Sequence, residues 1–255
     1  MSFSHGDEEP GSDGSSMSAE ELFIRGNEHH QGKGVPKNYE EATKWYRLAA
    51  ERGHIKAQYL LGHMYGKGNG VAQSDTEAVK LWSMAAERGH DCSQFELGFM
   101  YVAGRGVKQN YAEAMKWYEL AARQGNAMAQ NNLGLMYELG RGVSRNDVEA
   151  MKWWRLAADN GNMTSQYNLG LIYEKGMGVQ RNRDEAIRWY TLAAGQGHLQ
   201  AKNHLESMRC RGKDAAKRRG AVADGQVCAI CKGHCSISEA GETTCTGKCG
   251  AVKAQ

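Results

Sequence analysis

Residues 129–158 read AQNNLGLMYELGRGVSRNDVEAMKWWRLAA, and this pattern recurs along the chain at a spacing of 36 residues. Gly26, Gly62, Gly98, Gly134 and Gly170 keep the interval without an insertion. So do the doublets Ala49-Ala50, Ala85-Ala86, Ala121-Ala122, Ala157-Ala158 and Ala193-Ala194, and the glycines at 53, 89, 125, 161 and 197. A fixed period in this range is the signature of a solenoid, in which each unit buries its apolar face against its neighbours.

Each unit reads as two helices. In the second, Leu61, Met64 and Tyr65 form the i, i+3, i+4 stripe of an amphipathic helix. Gly62 lacks a Cβ and lets a neighbouring helix come close. The glycine pairs that follow, Gly68/Gly70 and Gly104/Gly106 among them, supply the positive φ that stops one helix and turns the chain. Val35, Val71, Val107, Val143 and Val179 plug the turn. The second helix then opens on Asn38, Ser74, Asn110, Asn146 and Asn182, each followed three residues on by Glu41, Glu77, Glu113, Glu149 and Glu185. That spacing predicts a capping box, with the glutamate reaching back to the cap amide. Small alanines at 42, 78, 114, 150 and 186 allow tight crossing, and Trp45-Tyr46, Trp117-Tyr118, Trp153-Trp154 and Trp189-Tyr190 fill the core.

Residues that recur once per unit are architecture, so the periodic tryptophans and glutamates are not read as a catalytic set. His54, His90 and His198 stand where Asn126 and Asn162 stand in other units. They are read as helix starters, and lie too far apart in the repeat to ligate one metal together.

The quoted stretch, with Gly140-Arg141-Gly142-Val143, Ala150, Trp153-Trp154 and Ala157-Ala158, resembles the SEL-one-like repeat (SLR) family, relatives of the tetratricopeptide repeats with a longer unit. The resemblance covers residues 19–209. It departs at Arg25 and His29 in the first unit and at Glu206 and Arg209 in a sixth first helix, as terminal caps require. It implies an all-α, right-handed superhelical solenoid of about five 36-residue helix pairs with a terminal capping helix, acting as an adaptor or scaffold in protein complexes. Members are linked to signalling, protein quality control and bacterial host interaction. Some secreted relatives carry a cysteine pair in each unit and are tied to β-lactam chemistry; this chain lacks those pairs and any Ser-x-x-Lys.

If first helices line the concave face, as in tetratricopeptide arrays, the side chains outside the core stripe form the candidate partner surface. These are Tyr59, His63 and Lys67, then Phe95, Phe99 and Val102, then Asn131, Leu135 and Glu138, then Tyr167, Leu171 and Glu174. The centre of this stripe is apolar enough for a peptide or helix partner. Packing between adjacent first helices is the competing account of the same residues.

The ends differ from the middle. Residues 1–18, acidic and rich in Gly and Ser, read as a disordered leader; the repeats occupy 19–209, a basic linker 210–226 and a cysteine-rich tail 227–255. No aromatic follows Tyr190, so the tail has no ordinary core and needs a staple. Cys228, Cys231, Cys245 and Cys249, with His234 or Cys235 as substitutes, form two cysteine pairs suited to a tetrahedral zinc. Their spacing only faintly resembles the opening of a MYND-type finger. A disordered tail, or redox-active or lipidated cysteines, are the other readings. Arg209, Arg211, Lys213, Lys217, Arg218 and Arg219 read as a solvated linker, with a nuclear-import signal or phosphate contact as the alternative.

A net charge of +3 and the absence of aromatics among these basic residues argue against nucleic acid. No apolar run reaches membrane-spanning length. The leader lacks a basic n-region and an apolar h-region, and six of seven cysteines crowd the last 46 residues. Together these point to a reducing compartment, cytoplasmic or nuclear. No Walker loop, dinucleotide fingerprint, His-Glu-x-x-His or Gly-x-Ser-x-Gly occurs. The sequence therefore predicts a protein-binding scaffold and no enzyme, with a zinc-dependent regulatory or nucleic-acid-associated protein as the alternative.

Overall fold

The computed structural model describes Gly14 and residues 16–218, 235–237 and 243–245. Among these, eleven helices precede two short strands. The helices are α1 (Ala19–Gln31), α2 (Tyr39–Glu51), α3 (Ile55–Lys67), α4 (Asp75–Glu87), α5 (Asp91–Ala103), α6 (Tyr111–Arg123), α7 (Ala127–Leu139), α8 (Asp147–Asp159), α9 (Met163–Lys175), α10 (Arg183–Gly195) and α11 (Leu199–Arg218). The strands are β1 (Cys235–Ile237) and β2 (Thr243–Cys245). The chain forms two compact units, Met1–Asn162 with α1–α8 and Met163–Gln255 with the rest. Within the first, α1–α2, α3–α4, α5–α6 and α7–α8 are close antiparallel pairs, and each second helix also packs on the first helix of the next pair. In the second unit α9 pairs with α10, and α11 covers α10.

The periodic residues do the work expected of them at the helix ends. Gly104 ends α5 in the left-handed region, with φ +67°, and its amide bonds the Met100 carbonyl at 2.8 Å. Gly106, also at φ +67°, lies against the Asp75 carbonyl at the start of α4, where a side chain has no room. The first helices are started by their histidines and asparagine: His54, His90 and His198 accept through Nδ1 from the amides of Ala57, Ser93 and Ala201 at 3.0, 3.2 and 3.2 Å, as Asn126 Oδ1 does from Ala129.

The second helices correct one expectation. Asn110 Oδ1 accepts from the amides of Ala112 and Glu113 at 3.1 and 3.2 Å, but no glutamate closes the box. The cap amide is already taken: Asn110 N donates to the Tyr101 carbonyl at 3.0 Å, and Asn38, Ser74, Asn146 and Asn182 do the same toward His29, Tyr65, Tyr137 and Tyr173. This bond stitches each second helix to the end of the first. The freed glutamates pair instead with lysines one turn on, Glu41–Lys44 at 2.6 Å and Glu149–Lys152 at 2.5 Å. A reciprocal capping box forms at Ser18 and Glu21, at the start of α1.

Ala42, Ala49, Ala114 and Ala121 are fully buried between helices. The first-helix glycines exist because aromatic rings lie flat on them: a Cβ on Gly98 would fall 2.7 Å from the Tyr118 ring, and Gly62 and Gly134 face Trp82 and Trp154 in the same way. A second periodic feature was not anticipated. Gln58, Gln94 and Gln130 are buried, and each donates to a carbonyl in the last turn of the preceding second helix, at Ala50, Ala86 and Ala122 (3.2, 3.0 and 2.9 Å). Each of those carbonyls also accepts the amide of the glycine three residues on, Gly53, Gly89 and Gly125, at 2.9, 2.9 and 3.0 Å, so the glutamine adds a second bond at the helix end. The Gln94 and Gln130 oxygens are filled in turn by Gln124 and Asn160, at 2.8 and 2.9 Å. Gln58 Oε1 has no partner among the described residues, because Arg88, which holds the position of Gln124 one unit earlier, donates to the Gly53 carbonyl instead.

The end of the acidic leader belongs to the first unit. Gly14 is buried against Leu22, Trp45 and Leu48, Met17 joins the core, and Arg52 donates to the carbonyls of Gly14 and Met17. Met17 thus stands to Arg52 as Gly53 stands to Arg88, one repeat earlier in register. At the other end, Ala201, Leu205 and Met208 are buried against α10 as the capping helix requires. The α11 backbone runs on to Arg218, into the stretch read as a linker. The tail adds the strand pair, which an all-helical reading omits: β1 and β2 run antiparallel with Cys235 opposite Cys245.

Candidate functional site

Aligning the first helices by their 36-residue register separates architecture from variation. From the second unit to the fifth, the columns of Leu61, Gly62 and Gln58 do not change and are buried. Two columns beside them vary. One reads Phe23, Tyr59, Phe95, Asn131 and Tyr167; the other reads Asn27, His63, Phe99, Leu135 and Leu171.

The first column lies half-buried in the crevice toward the next helix pair. Tyr59 meets His63 edge-on at 4.7 Å and His90 at 4.9 Å, and Phe95 sits 5.9 Å from the Tyr118 ring. The Asn131 carbonyl receives the Trp154 indole N–H at 3.2 Å. In the second unit, Tyr167 stacks on His198 at 4.5 Å and packs with half-buried Leu171 against the core. The second column faces outward in the middle of the first unit: Phe99 and Leu135 are 42% and 41% exposed, and Leu139, one turn beyond Leu135, is 48% exposed. Packing therefore accounts for Tyr59, Phe95 and Tyr167, and leaves Phe99 and Leu135 partly exposed.

Beside this apolar strip lies a polar cluster the stripe did not single out. The Glu96 carboxylate sits 3.5 Å from His63 Nε2, and their side chains are only 20% and 29% exposed. Burial raises the Glu96 pKa above the ordinary carboxylate value, with Lys67 opposing; burial and then Lys67 lower that of His63. At neutral pH the imidazole is uncharged, so Glu96 faces no formal cation at contact distance. Burial also pushes the Tyr59 and Tyr118 hydroxyls up to about 12. The Cys92 thiol is raised by burial and by Asp91, which makes it a poor nucleophile.

Among the described residues, no group of three His, Cys, Asp or Glu side chains could hold a metal ion. Of the cysteine ligands proposed from sequence, Cys228, Cys231 and Cys249, with the substitute His234, lie outside the described residues; Cys235 and Cys245 fall on the strand pair. No described helix is long and apolar enough to cross a membrane.

Buried repeat columns, stitched helix pairs and a variable face define an all-α protein of tandem helix-pair repeats. The Sel1 repeat family matches residues 22–54, 55–90, 93–126, 127–162 and 164–198, and the chain belongs to that family. Its fold is similar to a Sel1 repeat protein from Oxalobacter formigenes, with 34% identity, 82% of this chain and 83% of that one covered, and a TM-score of 0.73. It is also similar, at 34% identity and a TM-score of 0.70, to a protective antigen of uropathogenic Escherichia coli that displays an SLR fold. That match covers 83% of this chain but spans only 47% of the antigen. No curated protein matches the chain.

Proposed function

We propose that the chain is a protein-interaction scaffold that docks a protein or peptide on the first-helix face of α5 and α7. The observation that supports this most is the exposure of Phe99 and Leu135 in a column flanked by fully buried ones. Large apolar side chains exposed at the same register position of successive units mark a partner surface. The reading is one of binding and not of catalysis, and it suits a cytoplasmic protein whose thiols stay reduced. A quantitative pull-down with the full chain and a Phe99→Ser/Leu135→Ser variant tests it. The variant should keep the helical circular dichroism of the parent and lose the captured partner; a variant that captures the same partner equally well, or that unfolds, counts against docking.

A second reading attaches to the tail, where β1 and β2 set Cys235 across from Cys245. We propose that zinc is held there by Cys228, Cys231, Cys245 and Cys249, with Cys235 or His234 able to replace one of them. Elemental analysis of the purified full chain should find one zinc per chain, and less in Cys245→Ser. A metal-free chain with its thiols reduced would end that reading.

A further inference from the structure

Glu96 is a charged residue in the column otherwise filled by Ile24, Leu60, Asn132, Asn168 and His204, so the repeat does not require it. It lies one turn before Phe99 on the same face of α5, in the spacing that makes helical side chains neighbours. The one basic side chain within 4 Å of it among the described residues is the neutral His63, at 3.5 Å, while Lys67 of α3 attracts it from farther off. Neither α5 nor α7 contains a lysine or arginine, whereas Asp91, Glu96 and Glu138 supply carboxylates. An apolar strip of Phe99, Leu135 and Leu139 is thus bordered by negative charge, with one carboxylate already largely stripped of water.

We infer that the occupant of this face is an apolar peptide segment carrying a lysine or arginine, whose cationic group is received by Glu96. This rests on the docking reading above and adds the chemistry of the partner to it. A largely desolvated carboxylate that Lys67 of α3 attracts only from beyond ion-pair distance is under-compensated, and a partner's ammonium or guanidinium at contact relieves that cost on binding. An acidic or phosphorylated segment meets the same carboxylate as repulsion.

The test is a selection of random 16-residue peptides displayed on phage, with the full chain as bait beside its Phe99→Ser and Glu96→Gln variants. Wild-type pools should combine apolar residues with lysine or arginine. Glu96→Gln should lose that basic enrichment, and recovered basic peptides should bind it about tenfold more weakly. The same loss should follow from replacing the peptide's basic residue with glutamine against the wild type, which holds the test open if Glu96→Gln folds poorly. Pools that need Phe99 but show no basic preference, or a preference untouched by Glu96→Gln, overturn this inference and leave the docking reading standing. If no pool depends on Phe99, both fall.

Discussion

At the scale of single residues, a position's physical surroundings separate glycines that look alike. Gly98 lies under the Tyr118 ring, whereas nothing comes near a Cβ built on Gly195 at the end of α10. Gly98→Val should therefore lower stability by about 2 kcal/mol through overpacking, and Gly195→Ala should be neutral or stabilising; urea unfolding of both variants checks the contrast. Glu96 behaves in the opposite way to a structural residue. Its raised pKa means that the folded state holds the proton more tightly than the unfolded one. Its contribution is favourable in acid and is lost as pH rises through the folded value. Glu96→Gln should then raise the urea midpoint at pH 7, with the gain shrinking as the buffer is acidified. A residue that costs stability at neutral pH and lies beside an exposed apolar strip fits a binding role better than a packing one.

At the scale of elements, the histidine caps carry a titratable acceptor where asparagine carries a fixed one. His90 Nδ1 can accept the Ser93 amide only while the ring is neutral. Burial, and secondarily Lys56, lower its pKa against the opposing pull of Asp91. A histidine lowered on folding stabilises fully above its ordinary value near 6.5, and that contribution is lost as pH falls toward the folded value. His30 and His63 shift in the same direction, so stability should decline on acidification below about 6.5. His90→Asn, which installs the cap that Asn126 uses, should make that decline shallower in melts from pH 7.5 to 5; an unchanged slope would place the sensitivity elsewhere. The helix starts, the glycine stops and the aromatic pairs were legible in the sequence because they depend on local chemistry and a strict period. The buried glutamines were not, since a glutamine in an amphipathic helix reads as surface until the last turn of another helix brings a carbonyl within its reach. The same holds for the second-helix glutamates. Their spacing satisfies a capping box, yet the cap amide is spent on a carbonyl nine residues earlier, a bond that exists only once two helices are paired.

At the scale of the molecule, most of the chain's chemistry-bearing side chains are committed to holding helix pairs together, as expected of a Sel1 repeat protein. The variable face was legible as a stripe, but the sequence could not divide packing from exposure within it. Tyr59 and Phe95 differ from Phe99 only in which side of a crevice they meet, and Glu96 was hidden in a column the stripe did not include. The central claim is that fold and binding occupy different columns of the same helices. Equilibrium urea unfolding of Leu97→Ala and Phe99→Ser, two residues apart on α5, tests it most directly. Leu97 is fully buried, so its truncation should cost about 2–5 kcal/mol, while Phe99→Ser should stay within about 0.5 kcal/mol of the parent. A loss at Phe99 as large as that at Leu97 would mean that the exposed column holds the fold together, and would contradict the account.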